Sequence, residues 1–489
     1  MQFGREINRL LAALLLAFLL VGLSASYWAV FGPVSILLRD DNPRLVEAEA
    51  AIMRGDIVDR HGDVLVTSVR DDNGVLLRRY LYPEFNGALG YFSLRYGVNG
   101  AEAAYDGLLR GDALVGSLDD YVGRQLLHRP QRGTAVQLSF DLQTQQAVMA
   151  AMGGHTGAAV VLAVPSGEVL ALVSLPAYNP NVLDAQWDTL VAAPGNPFFN
   201  RVLQGSYQPG GMLQIPLMVG ALVQQQPLTT RFEDADTPVQ LTTVTDGTQS
   251  TFAVTCLQPP PAGTLTLAEA YVYGCPTPFV ELAETLGAQR VQQIFDMFLL
   301  GNPPTLAGFV VQPPATTASA GTLATPTAFV VSDTHLLADA LGQGQITLSP
   351  LHMAVIVSAL LNHGNAPQPQ ALLATRDPGA GEWTPAASTF ATTPLTTPES
   401  AQQLQMLMRE AVANGSAAAA ARAGYDIGGQ TALAYAGTGS KTWFAGFVTL
   451  ADGRSAVVVI VLENSSDPAE AARIGGLALQ AAADGMQND

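Results

Sequence analysis

The longest apolar run lies near the N-terminus. Residues 10–38 carry no charge, and LLAALLLAFLLVGLSASYWAVF (10–31) is the most apolar part. About 20 apolar residues are what a helix needs to cross a bilayer. Arg5 and Arg9 precede the run and favour a cytoplasmic N-terminus, while Tyr27 and Trp28 suit the far interface. A cleaved signal peptide with small residues near Ser24–Ser26 is the competing reading. The run outlasts a normal signal core, which favours an anchor. On either reading, residues 40–489 are expected outside the cytoplasm.

Beyond the anchor, the spacing of apolar positions changes several times. RGDIVDRHGDVLVTSV (54–69) alternates turns with short apolar runs, as hairpin strands do. Residues 80–111 form a Gly/aromatic stretch ending in a helical turn. QLSFDLQTQQAVMAAM (137–152) reads as a strand and then a helix, with Asp141 near its start. GAAVVLAVPSGEVLALVSLP (157–176) is two apolar strands joined by PSGE. TLTLAEAYVYG and PFVELAETLGAQRVQQIF are amphipathic helices, with Thr277-Pro278 as cap and first-turn proline and Gly287 as a stop. SPLHMAVIVSALLNHG (349–364) predicts a buried helix. TWFAGFVTLADGRSAVVVIVLEN (442–464) predicts a second apolar hairpin, and PAEAARIGGLALQAAADG a closing helix. Residues 224–262 and 301–334, rich in Thr, Pro, Gln and Ala, read as surface loops or insertions. Helices flanked by antiparallel strands predict an α+β fold.

Composition narrows the function. The chain has 489 residues, 48% of them hydrophobic, enough for two or three domains with a large core. A formal charge of −18 argues against a nucleic-acid partner, which needs a basic surface. The six histidines show no metal-type spacing, so no metal and no cofactor are expected. Cys256 and Cys275 are the only cysteines and lie in a disulfide-permissive compartment. Two cysteines suit neither a disulfide scaffold nor a four-ligand metal site, and a single bridge is expected. Closing that loop would stabilise by roughly 3 kcal/mol on the chain-entropy model.

Several segments, in order, resemble the class B penicillin-binding proteins, the membrane-anchored transpeptidases that cross-link peptidoglycan. They are RGDIVDRHG, LGYFSLRYGVNGAEAAYDGLLRG, FDLQTQQAV, GAAVVLAVPSGEVLALVSLPAYNPN, ALGQGQITLSPLHMA and WFAGF. The resemblance runs from the anchor to the last helix. It implies an antiparallel sheet packed by helices, as in serine β-lactamases. It also implies three parts: a cytoplasmic tip and transmembrane anchor (1–38), a small β-rich pedestal (39–135), and a transpeptidase-like domain (136–489).

In this family the chemistry uses three motifs. A serine nucleophile has a lysine three residues later, both on one helix face. A Ser-x-Asn loop relays protons, and a Lys-Thr-Gly strand binds the substrate carboxylate and lines the oxyanion hole. Here YQPGGMLQ (207–214) puts Gly211 at the serine position and Gln214 at the lysine position. Gly274-Cys275-Pro276 replaces Ser-x-Asn, and cysteine occupies that middle position in many relatives. Gln430-Thr431-Ala432-Leu433 replaces Lys-Thr-Gly-Thr, keeping only Thr431. A glycine cannot be acylated, and an amide is no base near neutral pH. Lys441 is the one lysine in the chain, where the mechanism uses two; it reads as a loop lysine before a strand. Pro216 is expected to delay or kink the helix that follows Gly211.

The resemblance therefore implies a pseudo-transpeptidase with no catalytic residues at the family positions. Its role would be a scaffold or binding protein in cell-wall synthesis. Partners would be the bacterial membrane, a membrane glycan polymerase or other cell-wall proteins, and a stem peptide or β-lactam held non-covalently. The alternative is an active transpeptidase using non-standard residues.

Overall fold

The computed structural model describes residues 3–30, 47, 49–112, 131–245, 248–311, 330–332, 335–387, 391–436 and 439–487. The expected join between anchor and pedestal at 38/39, and most of the surface loop expected at 301–334, lie outside them. Helix α1 (Phe3–Val30) carries the apolar run. Its stretch Ile7–Tyr27 has a mean hydropathy of 2.3 and is exposed throughout, long and apolar enough to cross a membrane.

Strands β1 (Ile57–Val58), β2 (Val64–Arg70) and β3 (Leu76–Tyr80) follow, with β4 at Ala135–Leu138. Helix α2 (Leu142–Met152) starts on Asp141, whose side chain accepts from the Thr144 N–H. Strands β5 (Gly157–Val164) and β6 (Val169–Leu175) are the predicted hairpin. Helix α3 spans Gln214–Val223. Strands β7 (Val239–Thr245) and β8 (Thr248–Val254) pair from Val239↔Val254 to Thr245↔Thr248. Part of the 224–262 stretch expected as loop is thus a hairpin; its Thr and Val content suits strands, which the Pro- and Gln-rich flanks conceal.

Helix α4 (Leu267–Tyr273) begins with a Thr266/Glu269 capping box. Helix α5 (Thr277–Leu286) is entered through Pro276 rather than capped by Thr277. The Thr277 hydroxyl donates instead to the Thr237 carbonyl. Gly287, at φ 74°, ends α5 as expected. Helix α6 (Pro350–Leu361), strands β9 (Leu372–Arg376) and β10 (Thr384–Pro385), and helix α7 (Pro398–Asn414) come next. Strands β11 (Asp426–Ala436), β12 (Gly439–Thr449) and β13 (Ser455–Glu463) and helix α8 (Pro468–Gln487) complete the chain.

The central sheet is antiparallel, in the order β11-β12-β13-β5-β6. Its inner strands are buried on both faces, so they read as unbroken apolar runs. Alternate residues serve opposite sides. Val160, Leu162, Val457 and Val459 join the core under α3 and α6, while Ala159, Val161, Val458 and Ile460 join a second core under α2 and α8.

A second sheet, β10-β9-β4-β1-β2-β3, draws strands from both sides of the boundary expected at 135/136. β1 runs parallel to β4, which pairs in turn with β9. Ile57, Leu65 and Val66 belong to the same core as Val160 and Leu162. A buried ion cluster ties the N-terminal section together. Arg54 Nη2 and Arg78 Nε bind the two oxygens of Glu102 at 2.9 and 2.6 Å, and Glu102 is fully buried.

Candidate functional site

The turn into α3 is fixed on both sides. Tyr207 and Leu348 exchange backbone hydrogen bonds of 3.0 and 2.8 Å. The Gly210 N–H donates to the Gly342 carbonyl at 2.9 Å. Gly210 has φ 55°, and a Cβ there would lie 2.5 Å from the Leu433 carbonyl oxygen, so only glycine fits. Residues Gly210–Leu213 form a 3₁₀ turn that runs straight into α3. The α-helix proper begins at Gln214, three residues after Gly211, with Pro216 in its first turn. In its first turn Pro216 sits where an N–H lacks an intrahelical partner, so the missing donor costs little.

Gly211 and Gln214 share a face of this turn. A Cβ built on Gly211 would meet Ala432 Cβ at 3.6 Å and Gln214 Nε2 at 3.8 Å, ordinary contacts. Across from them runs β11, the edge strand of the central sheet. Gln430 Nε2 donates to Gln214 Oε1 at 3.0 Å, and both residues are buried. The Gln430 Oε1 atom is buried with no partner. Strand alternation turns Thr431 the other way, where its hydroxyl donates to the Ser416 carbonyl at 3.1 Å.

Gly274 is the left-handed cap of α4, with φ 65°. A Cβ on it would press on the Leu257 side chain at 3.0–3.2 Å. The Cys256 and Cys275 sulfurs are bonded at 2.11 Å. Gly211, Gln214, Gly274 and Pro276 thus converge on one cleft, together with Leu257, Leu341, Leu433 and Tyr435. Its volume is about 30 Å³, against roughly 300 Å³ or more for ordinary small-molecule sites. None of its lining residues is charged. Lys441 lies within β12 rather than in a loop before it, across from Glu463. His352 is buried in α6, and burial pushes its imidazole down to about 4.

Two glutamines that sequence reasoning did not single out hold this edge of the site. Gln343 Nε2 donates to the Leu433 carbonyl and its Oε1 accepts from the Tyr435 N–H, both at 2.9 Å. Its amide thereby continues the ladder on the open edge of β11. Gln208 Nε2 donates to the Gly344 carbonyl at 2.7 Å, while its own carbonyl accepts from Trp443 Nε1 at 2.9 Å. Both lie inside quoted motifs, GQGQ and YQPG, and that was the only available signal.

An antiparallel sheet between two helical layers, with a helix start, an interhelical turn and an edge strand meeting at one cleft, is the layout of the serine β-lactamase and transpeptidase class. The chain belongs to the penicillin-binding protein transpeptidase family: residues 157–481 match its transpeptidase-domain model. That family is one of serine D,D-transpeptidases of peptidoglycan synthesis. The chain is 28% identical over 486 residues to the peptidoglycan D,D-transpeptidase PbpA of Mycolicibacterium smegmatis, spanning 93% of each chain. It is 28% identical over 513 residues to PbpA of Mycobacterium tuberculosis H37Rv, spanning 98% of this chain and 99% of that one. Among solved structures it is similar to penicillin-binding protein A from M. tuberculosis as an imipenem acyl-enzyme complex. There the TM-score is 0.73 at 27% identity, over 89% of this chain and 99% of that one. The D,D-transpeptidase domain from Eggerthella lenta shares the fold, with a TM-score of 0.72 at 24% identity over 89% and 99% of the two chains.

Proposed function

We propose that this chain is a membrane-anchored pseudo-transpeptidase. It keeps the fold of its family and serves cell-wall synthesis as a scaffold or binding protein. The observation that carries the reading is the Gln214–Gln430 amide pair beside Gly211. On the motif alignment, these are the positions of the nucleophile, its base and the carboxylate-binding cation. A glycine has no group to acylate, and two neutral amides bonded to each other neither take a proton nor pair a carboxylate. Gly274 and Pro276 likewise replace the Ser-x-Asn side chains. M. tuberculosis penicillin-binding protein A is known as an acyl-enzyme; this chain lacks the means to become one.

The same reading divides the chain into an anchor (1–38), a pedestal (39–135) and a transpeptidase-like domain (136–489), the last two outside the cytoplasm. Its partners are a membrane glycan polymerase or other cell-wall proteins, with stem peptide or β-lactam bound at most non-covalently. The test is labelling of the purified full chain with a fluorescent penicillin, then denaturation and intact-mass spectrometry. No adduct is expected. A stoichiometric covalent adduct would overturn the reading.

A further inference from the structure

The run Phe252–Leu257 crosses the cleft just described. The Phe252 ring lies against Tyr435 with centroids 4.8 Å apart. Val254, Thr255 and Leu257 line the cleft itself. Leu257 also covers Gly274, where a Cβ would press on it at 3.0–3.2 Å. Among the described residues β7 and β8 pair only with each other, so the run is held to the body by side-chain packing of Phe252, Val254 and Cys256 on the main core rather than by a larger sheet. Downstream, the Gln258 N–H donates to the Tyr273 carbonyl at 3.2 Å and fixes the far end. One covalent link lies between those ends. Cys256 is bonded to Cys275, the middle residue of the turn that forms one wall of the cleft.

We propose that residues 252–257 are a strap across the cleft and that the Cys256–Cys275 bridge is its latch. Latched, the strap leaves about 30 Å³ and bars any peptide or β-lactam from Gly211 and the β11 edge. Unlatched, it swings about Gln258 and uncovers Gln214, Leu341, Leu433 and Tyr435. The chemical trigger is a dithiol reductant. The S–S bond breaks and takes up two electrons and two protons to give two thiols, while the dithiol closes to its own disulfide. Cys256 is the partly buried partner of the bridge, while Cys275 is fully buried. The inference rests on the position of the strap, read from the residues that line the cleft, and not on loss of chemistry.

The test is hydroxyl-radical footprinting of the detergent-solubilised full chain. The oxidised protein is compared with the dithiothreitol-reduced protein and with the Cys256→Ala/Cys275→Ala variant. Opening should raise modification of Leu341 and Leu433 by about tenfold or more, as for release of a local unit, with Val457 and Val459 still protected. Unchanged protection of Leu341 after loss of the bridge, with the core intact, would overturn the latch. If the double variant loses core protection, Phe252→Ala decides, because it keeps the bridge. There Tyr435 should become several-fold more reactive while Leu341 stays protected. An unchanged Tyr435 would overturn the strap, and exposure of both would overturn the latch. Penicillin labelling is scored separately, so failure of this inference leaves the functional reading standing.

Discussion

Replacing Gln214 with leucine removes one half of the amide pair at nearly constant volume. In the native chain the pair makes one hydrogen bond of 3.0 Å, and Gln430 Oε1 stays buried without a partner. Gln214→Leu leaves the Gln430 amide with neither donor nor acceptor satisfied, in a cleft too small to admit more than a water or two. A newly unpaired buried donor costs roughly 1–3 kcal/mol. Gln430→Leu also breaks the bond, but it removes the unpaired Oε1 with it, so its net cost should be about 1 kcal/mol. With both residues leucine, no stranded amide remains, and stability should return to within about 1 kcal/mol of native. The two changes are therefore strongly non-additive, with a coupling of order 1–3 kcal/mol favouring the double variant over the sum. Urea unfolding of the three variants and the native chain in detergent, followed by circular dichroism, measures all four corners of the cycle. Additive costs, or a Gln214→Leu variant as stable as native, would refute the claim that the pair joins α3 to β11.

Gly211→Ser should fold with an unchanged melting temperature, because a Cβ there meets nothing closer than 3.6 Å, and intact-mass spectrometry should find no penicillin adduct, since an unassisted hydroxyl stays protonated. Glu102→Ala removes the buried carboxylate shared by Arg54 and Arg78; because Arg54 keeps Asp106 at 2.7 Å and Arg78 keeps the Gly55 carbonyl at 2.8 Å, the cost in a denaturant melt should be about 3 kcal/mol, at the low end for a broken buried pair. His352 gives a pH signature: its imidazole titrates near 4 in the folded chain against an ordinary 6.5. The unfolded chain gains that proton first, so stability is full above pH 6.5 and falls by roughly 3 kcal/mol towards pH 4. A His352→Gln variant should flatten that acid limb in a series of melts against pH.

Local signals carried most of the central fold. The runs in β5, β6, β12 and β13, the PSGE and DGR turns, and Asp141 at the start of α2 each mark their element within a few residues. What escaped was non-local or masked by composition. Nothing near Ile57 announces a parallel partner at Val136, nor near Leu138 a partner at Leu372. The β7–β8 hairpin has Asp246-Gly247, a hairpin dipeptide, between its strands, but Thr- and Gln-rich surroundings obscured it. Thr277 failed as a cap because Pro276 already sets the entry to α5. The cleft shows the same division. The order of three short motifs says which segments meet, since Gly211, Gln214, Gly274 and Pro276 line one cavity. It does not say that Gln214 bonds Gln430 over 216 residues, or that Gln343 clips β11.

The neutral pair and the closed cleft have one physical cause in common. A site holding two lysines cannot be roofed by Phe252, Leu257 and Leu433 unless both ammonium groups are paired, since an unpaired charge out of water costs several kcal/mol. Such a site must stay open and wet, or keep carboxylates at hand, and none lines this one. Two glutamines satisfy each other with one bond and leave only a single amide oxygen over. A smaller residue acts the same way. Glycine at 274 lets Leu257 lie against the turn, where a Cβ would press on it at 3.0–3.2 Å. On the proposed reading, the exchanges that remove the chemistry also lower the cost of drying the cleft. The core that carries the fold, on either face of β5 and β13, is separate from these positions and needs none of them. On the proposed reading, a family member can lose its serine and lysines without losing its sheet, because that core does not depend on them.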